Sequence, residues 1–390
     1  MDYEKLLSST VQDIPPSGIR RFFDIASEMK DVISLGVGEP DFMTPFAIRQ
    51  EGIHSLERGR TWYTANAGLA ELKEEITRYL LRRFSLSYSP KDEVIVTVGG
   101  SEGIDICMRA LINPGDEVLI PEPCFVAYAP IARLMHAKVV PIPTREEDGF
   151  KLTPEALRAH ITERSKLLIF PFPNNPTGAV MRREELEKIA DVLRDTEVFV
   201  LSDEIYAELT YGEKKHVSIA SIEGMRERTI LINGFSKTYA MTGWRLGYAC
   251  APAPVIKQML KVHQFAIMCA PTTSQYAAIA ALRTCDAEIE KMAQEYDMRR
   301  RLCVEGFNRI GMDCFEAEGA FYVFPSIRST GLSSEEFCQK LLYKKRVAVI
   351  PGTAFGASGE GHVRVSYSYS VSYLVTALAR IEEFIREQKG

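Results

Sequence analysis

An α/β protein is predicted for this 390-residue chain: a mostly parallel sheet covered by helices on both faces, joined to a smaller α+β domain. Three observations predict it. Short β-branched runs recur, each followed by a Gly-, Pro- or Asn-rich turn and then a helical stretch. The runs are continuously apolar rather than alternating, as strands buried on both faces must be. From about Thr284 the texture changes to long charged helical stretches with few strand patterns, which indicates a separate α+β unit.

Taken in order, Glu93–Val98 (EVIVTV) is the first clear strand, leading through Gly99-Gly100 into a helix over Ser101–Ile112. Glu117–Ile120, Ala137–Ile142, Lys166–Phe170, Glu197–Leu201, Thr229–Ile232 and Leu246–Cys250 are the next strands. Beyond Thr284 come a charged helix over Asp286–Ile310, a short strand at Ala320–Phe324, a further helix, a strand at Val347–Ile350 and a closing helix over Tyr373–Glu387. The expected division is 1–44 as an N-terminal arm and part of the small domain, 45–283 as the large domain, and 284–390 as the C-terminal small domain.

Composition narrows the function. With 46% hydrophobic and 25% charged residues the chain is globular rather than disordered or fibrous. A net charge of 47 − 52 = −5 and the lack of a basic run argue against nucleic acid or an anionic membrane as main partner. The eight cysteines are never closer than 11 residues, which removes CxxC redox and zinc-ribbon readings. Six isolated histidines give no HExxH spacing, so no metal is expected. Met1–Thr10 lacks the features of a secretory leader, and 265–282 is too interrupted for a spanning helix. A cytoplasmic protein is expected.

Ligands of open α/β sheets bind beyond the carboxyl ends of the strands, so the residues there carry the functional reading. Gly99-Gly100-Ser101-Glu102-Gly103 opens a helix, where glycines and free N–H groups can cradle an anion. It can equally be an ordinary strand–helix turn. The same five residues match GxSxG, which would make Ser101 a nucleophile with His362 as a late base. Pro173-Asn174-Asn175-Pro176-Thr177-Gly178 is either a rigid loop or a way to fix an amide toward a ligand. Asp203, at a buried strand end, is either a helix cap or a carboxylate aimed at a cationic group, with the Tyr206 hydroxyl one turn on. Lys237 follows a buried strand among Gly, Phe, Ser and Tyr. Ser236 stands where a Walker A loop needs glycine, so P-loop chemistry fails, whereas a partly desolvated lysine is a good imine former.

In their order these residues resemble the fold-type I pyridoxal-phosphate enzymes, specifically the class I/II aminotransferases that include aspartate and aromatic aminotransferases. The resemblance runs from Gly36-Val37-Gly38-Glu39-Pro40-Asp41 to the Arg364 region and is most specific in Gly234–Gly247, GFSKTYAMTGWRLG. It implies pyridoxal 5'-phosphate held by Lys237 as an aldimine, Asp203 on the pyridinium nitrogen, and Tyr206 and Asn175 on the ring oxygen. Arg245, Ser236 and the loop Gly100, Ser101 and Glu102 would serve the phosphate end, with Phe125 stacked on the ring. Tyr63 would reach the phosphate of a neighbouring subunit in a homodimer. Arg364 would clamp the substrate carboxylate beside Gly38 and Asn175.

The implied activity moves an amino group from an L-amino acid, aromatic or acidic, to a 2-oxo acid, with 2-oxoglutarate the default acceptor, in ping-pong half-reactions. A C–S β-lyase on the same scaffold is the alternative, and the Ser101 hydrolase a remote one, since Arg245, Asp203, Lys237 and Arg364 have no task in it. The 30-odd residues before Gly36 leave no room for the fused DNA-binding domain of a regulator. Residues 14–20 are a candidate lid over the site.

Overall fold

The computed structural model describes residues 1–16, 18, 29–212 and 215–389. Among these residues twelve strands form three sheets: β1 (Ile33–Ser34), β2 (Val94–Thr97), β3 (Glu117–Glu122), β4 (Lys138–Pro143), β5 (Ser165–Phe170), β6 (Phe199–Asp203), β7 (Thr229–Gly234), β8 (Gly247–Cys250), β9 (Tyr322–Val323), β10 (Val347–Ala348), β11 (Ile350–Pro351) and β12 (Val363–Ser366). The large sheet has the order β2-β8-β7-β6-β5-β3-β4 and is parallel from β7 to β4.

Both faces of this sheet are buried, which is why its strands read as unbroken apolar runs. Val94, Val96, Leu231 and Tyr248 pack into one cluster, and Ile95, Ile230, Ile232 and Ala249 into another on the opposite face. β4 departs from the pattern because it is an edge strand with mostly exposed or half-buried residues. β8 runs antiparallel to both neighbours. Only a short 3-10 turn, Thr242–Trp244, lies between β7 and β8, and without a crossover helix the chain returns in the opposite direction. β2, antiparallel to β8, therefore runs with β7, and the carboxyl ends of β2, β5, β6 and β7 share one edge.

The strand expected at Val347–Ile350 is split. β10 pairs in parallel with β1, while β11 joins β12 and β9 in an antiparallel sheet. Ser366 N–H donates to Leu35 O at 2.8 Å, and Tyr373 Oη accepts from Ser34 N at 3.1 Å. The stretch from Ile33 to Leu35 is thus held by C-terminal elements. The helix Asp286–Arg309 and the closing helix Val371–Lys389 flank these sheets. All eight cysteines are unpaired, and among the described residues no helix is long and apolar enough to cross a membrane. The candidate lid falls partly on residues 17, 19 and 20, which lie outside the described residues.

Candidate active site

At the shared strand edge a cavity of about 310 Å³ is lined by Lys237, Asp203, Tyr206, Arg245, Asn175 and Arg364, with Gly38, Gly100, Ser101, Phe125 and Ser236 completing much of its wall. Asp203 ends a strand at this edge, Gly100, Ser101, Asn175 and Lys237 follow such strands, and Arg364 lies within β12 of the small sheet.

One end is built for an anion. The helix Gly99–Leu111 begins directly after β2, and the N–H groups of its first turn have no intrahelical partner. Gly99 has φ +73°, and a Cβ there would lie 2.7 Å from Arg245 Nη2. A Cβ on Gly247 would lie 2.7 Å from Gly100 N, so both glycines let backbone and guanidinium close in. Arg245 itself is left-handed, φ +52°, and its Nη1 donates to Thr242 O at 3.0 Å. The Glu102 side chain does not join this end. One oxygen accepts from Val98 N–H, capping the helix, and the other lies 2.6 Å from His263 Nδ1. Glu102 does not line the cavity, whereas Gly100 and Ser101 do.

The middle of the cavity is set by β6. Asp203 is its last residue, pairing with Ile232 of β7, and is buried. Burial pushes its carboxyl group upward from the usual range, while a 2.7 Å hydrogen bond from Tyr128 Oη and one from Ile205 N–H at 3.2 Å pull it back. Tyr206, three residues on, shares a 2.9 Å hydrogen bond with Tyr322 Oη. Phe125 lines the same wall, edge-on to Tyr128 with centroids 5.7 Å apart.

Lys237 Nζ donates to Gly38 O at 2.6 Å. Burial pushes its ammonium down to about 8. Glu39 pulls the other way, whereas Arg364 and Arg245 add to the push. Arg364 is 2% exposed. Its Nη1 donates to Asn175 Oδ1 at 2.9 Å and its Nη2 to Gly36 O, while Nε is buried without a partner. A buried guanidinium with a free donor is suited to receive an anionic oxygen.

Some expected residues stay apart. Tyr63 is 75% exposed and outside the cavity. The hydrolase pairing fails outright: His362 is 1% exposed, stacks on Phe324 at 5.0 Å and sits 3.2 Å from Glu146 Oε2, in a different cavity from Ser101. The base expected for Ser101 is therefore not available to it. Tyr128, Tyr322 and the Gly36 carbonyl are site groups absent from the sequence reading. Tyr128 opens a short helix three positions after Phe125, and that nearness is the local signal that could have found it.

An amine, a buried carboxylate, the start of a helix and a buried guanidinium meet at one strand edge, the setting that the class I and II aminotransferases, pyridoxal-phosphate-dependent enzymes of fold type I, share. The chain belongs to the class I and II aminotransferases, whose sequence profile matches residues 30–381. It is 53% identical to the protein YugH of Bacillus subtilis (strain 168) over 381 residues, covering 98% of each chain. To an aspartate aminotransferase of Pyrococcus abyssi it is 45% identical over 385 residues, 98% of this chain and 99% of that one. The crystal structure of an aromatic aminotransferase from Pyrococcus horikoshii OT3 superposes with a TM-score of 0.91 at 44% identity, covering 94% of this chain and 99% of the other.

Proposed function

We propose that this aminotransferase takes its amino group from an aromatic or acidic L-amino acid and delivers it to a 2-oxo acid, 2-oxoglutarate first among them. Supporting the donor range are an aspartate and an aromatic aminotransferase at nearly equal identity. The observation that carries the site reading is the convergence of Lys237, Asp203, Arg245 and Arg364 on one cavity. A panel of aspartate, glutamate, tyrosine and phenylalanine against 2-oxoglutarate, oxaloacetate and pyruvate tests it. With 2-oxoglutarate as acceptor, at least one of aspartate, tyrosine and phenylalanine should exceed alanine, added as the reference donor, in kcat/KM; the reverse order rejects the proposed range.

The residues present fit pyridoxal phosphate. Unpartnered N–H groups and Arg245 suit its phosphate, the Asp203 carboxylate suits a pyridinium nitrogen, and Lys237 suits its aldehyde. When bound, the cofactor supplies an electrophilic carbon and a ring that withdraws electron density from the substrate Cα. Asp203, its carboxylate fixed by Tyr128, would keep a positive charge on the ring nitrogen by charge pairing. Tyr206 and Asn175 would donate to the ring oxygen, and Phe125 would pack against the ring. Gly100, Ser101, Glu102 (by its N–H), Ser236 and Arg245 would hold the phosphate. Arg364, with Gly38 and Asn175 beside it, orients the substrate carboxylate through two parallel donors. As a neutral amine Lys237 would be able to bond the cofactor's aldehyde carbon with loss of water, and, when free, to hold the proton at the substrate Cα.

A lysine at about 8 has roughly one neutral amine in ten at pH 7, far more than a surface lysine. Acylation of the cofactor-free protein should therefore label Lys237 with a midpoint near pH 8, read by peptide mass mapping. Surface lysines should follow about two units later. A midpoint for Lys237 matching theirs contradicts the buried setting.

The assembly we propose is a homodimer in which Tyr63 reaches the partner's phosphate. Trp62 and Tyr63 are exposed, Thr272 Oγ1 bonds Trp62 O at 2.8 Å, and the adjoining Pro271 lines an open cavity together with Arg245. The small domain is proposed to comprise residues 1–44 and 284–390, on the strength of the β1–β10 pairing, and the large domain 45–283. Eight unpaired thiols suit the reducing cytoplasm.

A further inference from the structure

Tyr322 lies on β9, paired with Ser366 of β12 and so two residues along from Arg364. Its hydroxyl meets Tyr206 Oη at 2.9 Å, and its ring centroid is 4.5 Å from Arg364 Cζ, with Phe355 at 4.8 Å from the same carbon. A Cβ on Gly38 would collide with the Tyr322 hydroxyl, which accounts for the glycine there. Burial pushes both phenols upward, so both stay neutral O–H groups.

A phenol has one proton to donate. Once the Tyr206 proton is committed to the cofactor's ring oxygen, the proton of the Tyr206–Tyr322 hydrogen bond must come from Tyr322. A phenol that accepts a hydrogen bond is also a stronger donor. The ring, meanwhile, leaves the Arg364 guanidinium little freedom to turn.

We propose that Tyr322 is a positioning residue for both halves of the site: its hydroxyl donates to Tyr206 and aims that phenol's proton at the ring oxygen, while its ring holds Arg364 for the substrate carboxylate. The proposal rests on the parts assigned above to Tyr206 and Arg364.

The test is a pH titration of the visible absorbance of the substrate-free holoenzyme, combined with steady-state kinetics. Losing a donor leaves the ring oxygen more basic and the neighbouring proton more tightly held, so the titration midpoint rises. Tyr322→Phe should raise it by roughly 0.5–1 pH unit. Its KM for donor and acceptor should stay within about twofold of the parent, because the ring remains. Tyr322→Leu should give the same shift and raise KM for donor and acceptor alike by about fivefold. In a Tyr206→Phe background the Tyr322→Phe shift should vanish. An unmoved midpoint in Tyr322→Phe, or an equal shift with and without the Tyr206 hydroxyl, overturns the proposal. If Tyr206→Phe alone leaves the midpoint in place, the assignment of Tyr206 fails and the proposal falls with it.

Discussion

Lys237→Ala is expected to lower turnover by at least ~10⁴-fold, the upper range for a positioned acid/base group, because nucleophile and proton carrier are lost together. The protein should still fold. Lys237 makes one hydrogen bond, to Gly38 O, and burial disfavours its charged form, so removing it relieves as well as costs. Borohydride treatment of the parent holoenzyme should fix a pyridoxyl label at position 237, found by peptide mapping, and the variant should carry none there. Retained turnover, or a label on another lysine in the parent, would show that Lys237 is an ordinary buried cation.

For Asp203→Ala the expected loss in kcat is roughly 10²–10³-fold, the scale seen when one preorganised electrostatic group is removed. Stability of the cofactor-free protein should move little. The change strands the Tyr128 hydroxyl and the Ile205 N–H, but it also removes a carboxylate that burial already disfavours. Thermal unfolding of the cofactor-free variant alongside kcat of the loaded one separates the two effects. A large drop in unfolding temperature with kcat preserved would make Asp203 a structural residue only.

Much of the seven-stranded sheet was legible along the chain. The runs EVIVTV, KLLIF and EVFVL became β2, β5 and β6 because burial on both faces leaves an unbroken apolar signature. Boundaries moved by a few residues where a partner extended the ladder. β6 reaches Asp203 because Ile232 of β7 pairs with it, which puts the carboxylate on the strand rather than after it. Val-Arg-Val-Ser of β12 alternates apolar and polar residues, but four residues are the shortest run that this pattern can mark. Its two neighbours make it a strand.

Side-chain direction was less legible. Glu102 stands in the anion loop by position, yet its carboxylate caps the helix and meets His263, 161 residues away. Tyr128 and Tyr322 sit in apolar stretches where a buried aromatic is unremarkable, and neither spacing shows where the hydroxyl points.

Local order along the chain was enough for the strand–helix alternation, the helix start after β2 and the lysine motif, since apolar runs and turn residues act over a few positions. Which groups meet was settled by folding alone. Tyr128 reaches Asp203 across 75 positions, Tyr206 meets Tyr322 across 116, and Arg364 meets Asn175 across 189. Contacts that distant depend on sheet order and register, which many separated strands set jointly and no single segment encodes.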